Sequence, residues 1–272
     1  MAGRAPADRR LGMEPLSVAQ YALGLGSGGL VGFALGLVGG GGSILAVPLL
    51  VYVVGVTDPH LAIGTSACAV ALNAGANLTR HARYGHVKWR CALVFAAAGV
   101  LGAVAGSTVG KAVPGERLLV LFAALMIGVS VLMFRRRGEA GDPAVVLTRG
   151  NAPRLIAAGG ATGLVSGFFG IGGGFLVVPG LVAATRMPML AAVGSSLVAV
   201  TAFGLTTALN YAVSGWVDWV LAGIFVAGGV VGGAAGARAG VRLAERRGAF
   251  NVLFAGLLIV VAGYMLFRSI TA

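Results

Sequence analysis

Eight long stretches without a charged residue or histidine dominate this chain and restrict its fold more than any other feature. They are Pro15–Thr57, Leu61–Thr79, Cys91–Gly110, Leu118–Phe134, Leu155–Thr185, Met187–Val217, Trp219–Ala237 and Gly248–Phe267. Most match the ~20 residues that a helix needs to cross the ~30 Å hydrocarbon core of a bilayer. Only 10% of the 272 residues are charged, against about 25% in a typical soluble domain. The sequence therefore predicts an all-α polytopic membrane protein with about eight spans.

The net charge of +12 does not indicate a nucleic-acid-binding protein, because the basic residues cluster at the ends of apolar stretches. Arg135, Arg136 and Arg137 close one stretch, and Arg268 closes another. Cytoplasmic loops of membrane proteins collect Lys and Arg for topological reasons. We therefore predict that the lipid bilayer is a partner and that nucleic acid is not. The two cysteines are isolated and the three histidines lack metal-ligand spacing, so neither a disulfide nor a metal site is expected.

A glycine-rich motif occurs twice, which predicts two homologous halves. Residues 36–48 read GLVGGGGSILAVP, and residues 167–179 read GFFGIGGGFLVVP. At an offset of 130 residues, Gly64-Thr65-Ser66 also matches Gly194-Ser195-Ser196, and the Gly-x-Val-x-Trp motif at residues 85–89 recurs at 215–219. We predict an N-terminal tail (1–15), a first membrane repeat (16–137), a linker (138–154) and a second membrane repeat (155–268). Each repeat holds four to five helical elements, some of them broken or re-entrant at glycine.

The direction of the second half relative to the first depends on the long segment Leu155–Thr185. As one helix it measures about 46 Å, and its central glycines leave about 15 residues on each side. If the segment crosses once, the halves have four crossings each and are parallel; if it folds back, the number is odd and they are inverted. The positive-inside rule places 13 of the 20 Lys and Arg inside for parallel halves and 14 for inverted ones. Folding back explains the glycines and the short flanks together, so we favour inverted repeats.

Glycines also recur at every fourth position in two helices. This spacing puts them on one helix face, where the missing side chains let a neighbouring helix approach closely. We expect helix packing, not chemistry, from these residues. They are Gly24, Gly28, Gly32 and Gly36, and Gly228, Gly232, Gly236 and Gly240.

The combination of these motifs resembles the sulfite exporter family of the TauE/SafE type. The similarity rests on the paired glycine motif, the Gly-(Thr/Ser)-Ser that follows it, the stretch from His81 to Trp89, and the glycine-spaced third helix. It covers nearly the whole chain in both halves. The resemblance implies a multi-pass permease of the bacterial inner membrane, not an enzyme, that moves sulfur-containing oxyanions or organosulfonates. It specifies a transport class better than a particular molecule.

The glycine runs are the predicted substrate site. Helices that restart at Ser43 and Gly174 leave their first N–H groups unpaired at the positive end of the dipole, where an anion can bind. Neutral hydrogen-bonding side chains suit an oxyanion without burying a charge. The alternative is that the glycines only allow tight turns and that the polar side chains link helices. The predicted substrate-binding residues are Gly39, Gly41, Gly42, Ser43, Thr65, Ser66, Asn73, Asn77, Gly170, Gly172, Gly173, Gly174, Ser195, Ser196 and Asn210, with Pro48 and Pro179 as hinges.

These features predict a secondary transporter that moves a small anionic substrate by alternating access. The chain has no Gly-x-x-x-x-Gly-Lys-(Ser/Thr) motif, so we expect no direct use of ATP and no cofactor. An anion channel and a non-transport membrane subunit of a larger complex are the alternative hypotheses. The sequence leaves open the exact substrate, the direction, the coupling ion and whether the protein forms a homo-oligomer.

Overall fold

A computed structural model of the chain describes residues 16–135, 147–148, 150–172, 174–242, 259–265 and 267–268. Within these ranges the chain is helical and contains no β-strand. The predicted N-terminal tail (1–15), most of the predicted linker (138–154) and Gly173 lie outside the described residues. An all-α protein is therefore confirmed for the described part of the chain.

The helices follow the same order in both halves. The first half contains α1 (Val18–Val38), α2 (Gly42–Val54), α3 (Pro59–Arg83), α4 (Trp89–Ala112) and α5 (Gly115–Arg135). The second half contains α6 (Ala152–Phe169), α7 (Gly174–Thr185), α8 (Met189–Val213), α9 (Trp219–Arg242) and α10 (residues 259–265). Among the described residues, five helices (α1, α3, α4, α8 and α9) are long and apolar enough to cross a membrane. The figure of eight spans stays a prediction.

The two glycine-rich segments are the turns of helical hairpins. Gly42 lies against the backbone of Ala34 and Leu35, and at the far end of the hairpin the Gln20 amide donates to the Val54 carbonyl oxygen at 3.1 Å. Helix α2 therefore runs back along α1. In the second half Gly180 of α7 lies beside Thr162 of α6, so α7 runs back along α6 after the glycine turn between them. A folded-back segment is what the length of Leu155–Thr185 predicts.

The first hairpin departs from the prediction that a helix restarts at Ser43. Residues Gly39–Leu45 form a 3₁₀ turn, regular α-helix resumes only at Ala46–Pro48, and Leu49–Val54 is a π-helix. The tighter 3₁₀ winding accommodates the contact of Gly42 with the α1 backbone. Pro48 lacks the N–H that would continue the α-helical ladder, which accounts for the wider winding that follows it. In the second half the helix does restart at Gly174.

Glycine stripes hold the outer helix pairs together. A Cβ on Gly28, Gly32 or Gly36 of α1 would collide with the backbone of α9 near Phe225, Gly229 or Gly233. The contacts advance in step along both helices, so α1 and α9 are parallel. Helices α4 and α6 form the matching pair, with Gly99, Gly102 and Gly106 against α6. The predicted packing role of the four-residue glycine spacing is confirmed; the surroundings of Gly240 lie outside the described part.

Helices α3 and α8 form the centre and run in opposite directions. Gly64 near the start of α3 contacts Tyr211 near the end of α8, whereas Gly75 further along α3 contacts Thr201. We call the end of the bundle where α3 ends and α8 begins the Tyr84 end, and the opposite end the Trp216 end. Helices α4 and α6 begin at the Tyr84 end, and α1 and α9 begin at the Trp216 end. By these contacts, α1, α3 and α4 run opposite to α6, α8 and α9, respectively.

Candidate functional site

The glycine turn of the second half lies at mid-length of the central helix pair. A Cβ on Gly172 would lie 3.0 Å from Val70 Cγ1 of α3 and 3.3 Å from Val200 Cγ1 of α8. Val70 and Val200 are each the twelfth residue of a 25-residue helix. At 1.5 Å per residue, the contacted residues lie about 17 Å from the first residue of their helix and about 20 Å from its last. A helix pair of this length is long enough to span the ~30 Å hydrocarbon core of a bilayer.

The turn itself requires glycine. Gly170 (φ 66°) and Gly172 (φ 62°) have left-handed backbone conformations, which residues other than glycine rarely adopt. Ile63 of α3 fills the space next to Gly170, and the Ser66 hydroxyl lies 3.4 Å from the Gly170 carbonyl oxygen while it donates to Ile63 at 2.9 Å. The predicted residues Ser66, Gly170 and Gly172 are therefore brought together.

The glycine turn of the first half meets the same region. Its predicted residues Gly39, Gly41, Gly42 and Ser43 all lie in the 3₁₀ turn, which contacts α7 and α8. Ser43 and Gly42 are buried. Gly174 is the first residue of α7 and is also buried. In this conformation the described glycines are covered by neighbouring helices.

Two of the predicted polar residues instead join the halves at the ends of the bundle. The Thr65 hydroxyl accepts the Asp218 N–H at 2.9 Å where α9 begins, and the Ser195 hydroxyl accepts the Lys88 N–H at 2.9 Å where α4 begins. Gly64 makes room for the Trp216 carbonyl, and Gly194 for that of His86. The repeated Gly-(Thr/Ser)-Ser motif of each half thus contacts the repeated Gly-x-Val-x-Trp motif of the other. Both signals were visible in the sequence, but their partnership was not.

Asn210 lies away from the glycine turns. Its amide donates to the hydroxyls of Ser107 at 2.6 Å and Thr108 at 3.1 Å, and its Oδ1 accepts from Lys111 Nζ at 2.6 Å. These bonds link α8 to α4 near the Trp216 end. Ser196 is buried and donates to the Val193 carbonyl at 2.8 Å.

Several fully buried polar groups have no hydrogen-bond partner within the described part of the chain. Leaving such a group unpaired costs about 1–3 kcal/mol. Both amide atoms of Asn73 belong to this set, as do the hydroxyls of Ser166, Thr207 and Tyr211, and the buried ring nitrogens of His81. Asn73 was a predicted site residue; the others were not among the predicted substrate-binding residues. The only sequence signal for them is a polar side chain inside or at the end of an apolar stretch.

Charge differs sharply between the two ends of the bundle. Among the side chains that the structure describes, the Tyr84 end carries seven basic residues and no Asp or Glu. They are Arg80, Arg83, Lys88, Arg90, Arg154, Arg186 and Arg238. The Trp216 end carries three basic and three acidic residues. They are Lys111, Arg117 and Arg268, and Asp58, Glu116 and Asp218. Across the described ranges, no three His, Cys, Asp or Glu side chains gather as a metal site would require.

Comparisons with known proteins agree on one family. The family model described as "Sulfite exporter TauE/SafE" matches residues 24–265. The chain is 52% identical over 248 residues to a probable membrane transporter protein of Xylella fastidiosa strain Temecula1, covering 90% of this chain and 94% of that protein. It is 28% identical over 224 residues to the probable membrane transporter protein YunE of Bacillus subtilis, covering 74% and 81%. No solved structure matches the chain.

Proposed function

Because the chain belongs to the sulfite exporter TauE/SafE family of multi-pass membrane transporters, we propose that it moves small sulfur-containing anions such as sulfite or organosulfonates. We further propose that transport uses alternating access around the two glycine turns. The family and the names of the relatives indicate a transporter, not an enzyme. The observation that carries the proposal is the position of Gly172 at mid-length between α3 and α8.

We propose that the halves are inverted repeats in the membrane. The antiparallel contacts of α3 with α8 support this arrangement, since these two helices are equivalent in the repeat. The folded-back α1–α2 and α6–α7 hairpins support it too, because each half then has an odd number of helical passes. Trp89 and Trp219, which begin equivalent helices at opposite ends, are exposed as residues at the two membrane interfaces usually are.

The Tyr84 end is the proposed cytoplasmic face. Seven basic residues and no acidic ones among its described side chains fit the positive-inside rule, whereas the Trp216 end is balanced. This charge also raises the local concentration of anions at the Tyr84 end. A fixed charge changes the affinity seen from that side; the gradient of the substrate or of a coupling ion still sets the direction of net transport.

An anion is the substrate class that the centre favours. The α3 and α8 contacts of the turns supply valine and isoleucine side chains and the Ser66 hydroxyl, and no carboxylate lies in either central helix. The turn at Gly172 precedes the start of α7, where backbone N–H groups and the helix dipole favour negative charge. Transporters of several folds bind anions at such broken helices near mid-depth.

Movement is required because the described glycines are covered. Gly170 is packed against Ile63, and Gly172 against Val70 and Val200. A solute can reach the turns only if α3, α8 or the hairpins shift. Pro48, with the π-helix after it, and Pro179 inside α7 are the proposed hinges, since both interrupt the helical hydrogen bonding next to a turn.

Purified protein in liposomes tests this function. We expect saturable uptake of at least one of labelled sulfite, thiosulfate, sulfoacetate and taurine, above that of protein-free liposomes. Saturation separates a carrier from a channel, because a channel keeps conducting in proportion to concentration in this range. Failure of all four anions to move, with the protein shown to be folded and inserted, would contradict the proposed substrate class.

A further inference from the structure

Polar residues in the C-terminal halves of the two central helices form two rows. On α3, Asn73, Asn77 and His81 follow one another at intervals of four and so share one face. Asn73 contacts Gly229 and Asn77 contacts Gly233, so this row faces α9. It starts near mid-length of α3 and ends at the Tyr84 end of the bundle.

On α8, Thr207 and Tyr211 occupy the positions that correspond to Asn77 and His81 in the repeat. This second row ends at the Trp216 end, where Tyr211 lies against Gly64 and its ring centroid is 6.0 Å from that of Trp216. Because α3 and α8 are antiparallel, the two rows leave the region of the glycine turns in opposite directions. Each reaches one end of the bundle.

Asn77 has hydrogen-bond partners, since its amide donates to the Asn73 carbonyl at 3.0 Å and its Oδ1 accepts from Arg80. The other four members of the rows lack the partners that buried polar groups normally have. Asn73, Thr207 and Tyr211 are fully buried, yet both amide atoms of Asn73 and both hydroxyls are unpartnered in the described part of the chain. Both ring nitrogens of His81 are in the same state. Such unpaired groups destabilise the resting protein, and His81 and Tyr211 are unpaired at matching positions of the two halves. A partner that is present only part of the time, such as a solute or its water, would account for them.

Resting on the transport function proposed above, we infer that these rows line two half-routes for a small oxyanion. The Asn73–Asn77–His81 row connects the glycine turns to the Tyr84 end, and the Thr207–Tyr211 row connects them to the Trp216 end. The amide, imidazole and hydroxyl groups can all donate hydrogen bonds to oxygen, and neither row contains a carboxylate. Arg80 adds a positive charge beside the first row, with Nη1 3.4 Å from Asn77 Oδ1.

The inner ends of the two half-routes differ. Phe203 of α8 corresponds to Asn73, and it packs on Gly99 and stacks on Phe95 with ring centroids 6.3 Å apart. The row on α8 is therefore closed by an aromatic pair at mid-length, whereas the row on α3 continues with a polar amide. The row on α3 begins three residues after Val70, which contacts Gly172, whereas the row on α8 begins seven residues after Val200 with Phe203 between them.

Cysteine accessibility tests the two rows without requiring that the substrate be known. In a background with Cys68→Ala and Cys91→Ala, we compare Asn77→Cys and Thr207→Cys with the buried neighbours Ala74→Cys and Ala208→Cys. A charged, membrane-impermeant methanethiosulfonate is added to vesicles of either orientation. We expect Asn77→Cys to react from the Tyr84 side and Thr207→Cys from the Trp216 side, both faster than the controls. Reaction as slow as that of the controls would overturn the inference, even if the wild-type protein transports sulfite.

Removal of single hydroxyls provides a second measurement. Thr207→Val and Tyr211→Phe keep the shape of the side chain. If the hydroxyls have no role in transport, we expect equal or higher thermal stability and unchanged flux, because each variant removes an unpaired polar group. The half-route predicts the same stability but a flux of labelled sulfite that is lower by about tenfold, the loss expected for one hydrogen bond to a charged solute. Unchanged flux in both variants would contradict the inference. Absence of flux in the wild-type protein would count against the proposed substrate. The cysteine accessibility result would then determine on its own whether the two rows line half-routes.

Discussion

Replacing Gly32 by valine is expected to abolish most of the folded protein. A Cβ at this position would collide with the Gly229 carbonyl and Cα of α9, so two parallel helices would have to separate along their whole contact. The clash is with backbone, which cannot rotate away as a side chain can. We expect the free energy of unfolding to fall by at least about 3 kcal/mol, the upper end of the range for overpacking. This is a large part of the stability of a typical protein.

The yield of monodisperse protein and its thermal unfolding in detergent measure this effect. Gly26→Val is the matched control, because Gly26 lies in the same helix, is exposed, and has no neighbouring atom within 4 Å of the point where a Cβ would lie. The control should give nearly wild-type yield and unfolding temperature. Equal behaviour of the two variants would mean that the α1–α9 contact is not formed in the membrane.

Gly172→Val is expected to remove transport while the protein remains inserted. Valine at φ 62° is strained, and its side chain would enter the space between Val70 and Val200, where the turn comes closest to both central helices. The neighbouring atoms are side-chain ends that can move, so the fold survives better than after a backbone clash. The added methyl groups would cover the amides of the turn. We expect the flux of labelled sulfite to fall by at least about tenfold, the equivalent of about 1.4 kcal/mol.

A matched pair of alanine variants separates the turn from general packing at the same depth. Gly172→Ala carries both the backbone strain and the contact with Val70. Gly75→Ala places its Cβ at an ordinary 3.7 Å from Thr201 in the same α3–α8 contact. Flux into liposomes, normalised to inserted protein, should fall for the first variant and not for the second. Wild-type flux in Gly172→Val and Gly172→Ala would assign the glycines to packing alone.

Much of this fold could be predicted from the sequence because membrane helices leave strong local signals. The charge-free stretches indicate the helices, and the repeated motif predicts two halves. The spacing of Gly28, Gly32 and Gly36 indicates a close helix contact, which the structure pairs with α9. The hairpin turns follow from helix length and glycine content, since 31 residues of apolar chain are too long for one simple crossing.

The remainder depended on contacts between residues far apart in the chain. Thr65 is a candidate ligand by its sequence position, but its partner is the Asp218 N–H, 153 residues away. Asn210 likewise accepts a hydrogen bond from Lys111, which lies 99 residues away in the chain. In the sequence, the counts of basic residues on the inside for parallel and inverted halves differ by only one residue. The antiparallel contact of Gly64 with Tyr211 favours inversion directly. Sequence gives the residue types at such sites, and only the tertiary contacts tell which ones are already satisfied.

The sidedness of two equivalent positions most directly tests the central claim that the two halves have opposite directions in the membrane. Tyr84 follows α3 and Ser214 follows α8, they match in the repeat, and both are exposed. In the background without native cysteines, Tyr84→Cys and Ser214→Cys are labelled with a membrane-impermeant maleimide in vesicles of known orientation. The account predicts labelling of Tyr84→Cys from the cytoplasmic side and of Ser214→Cys from the opposite side. Labelling of both from the same side would contradict it.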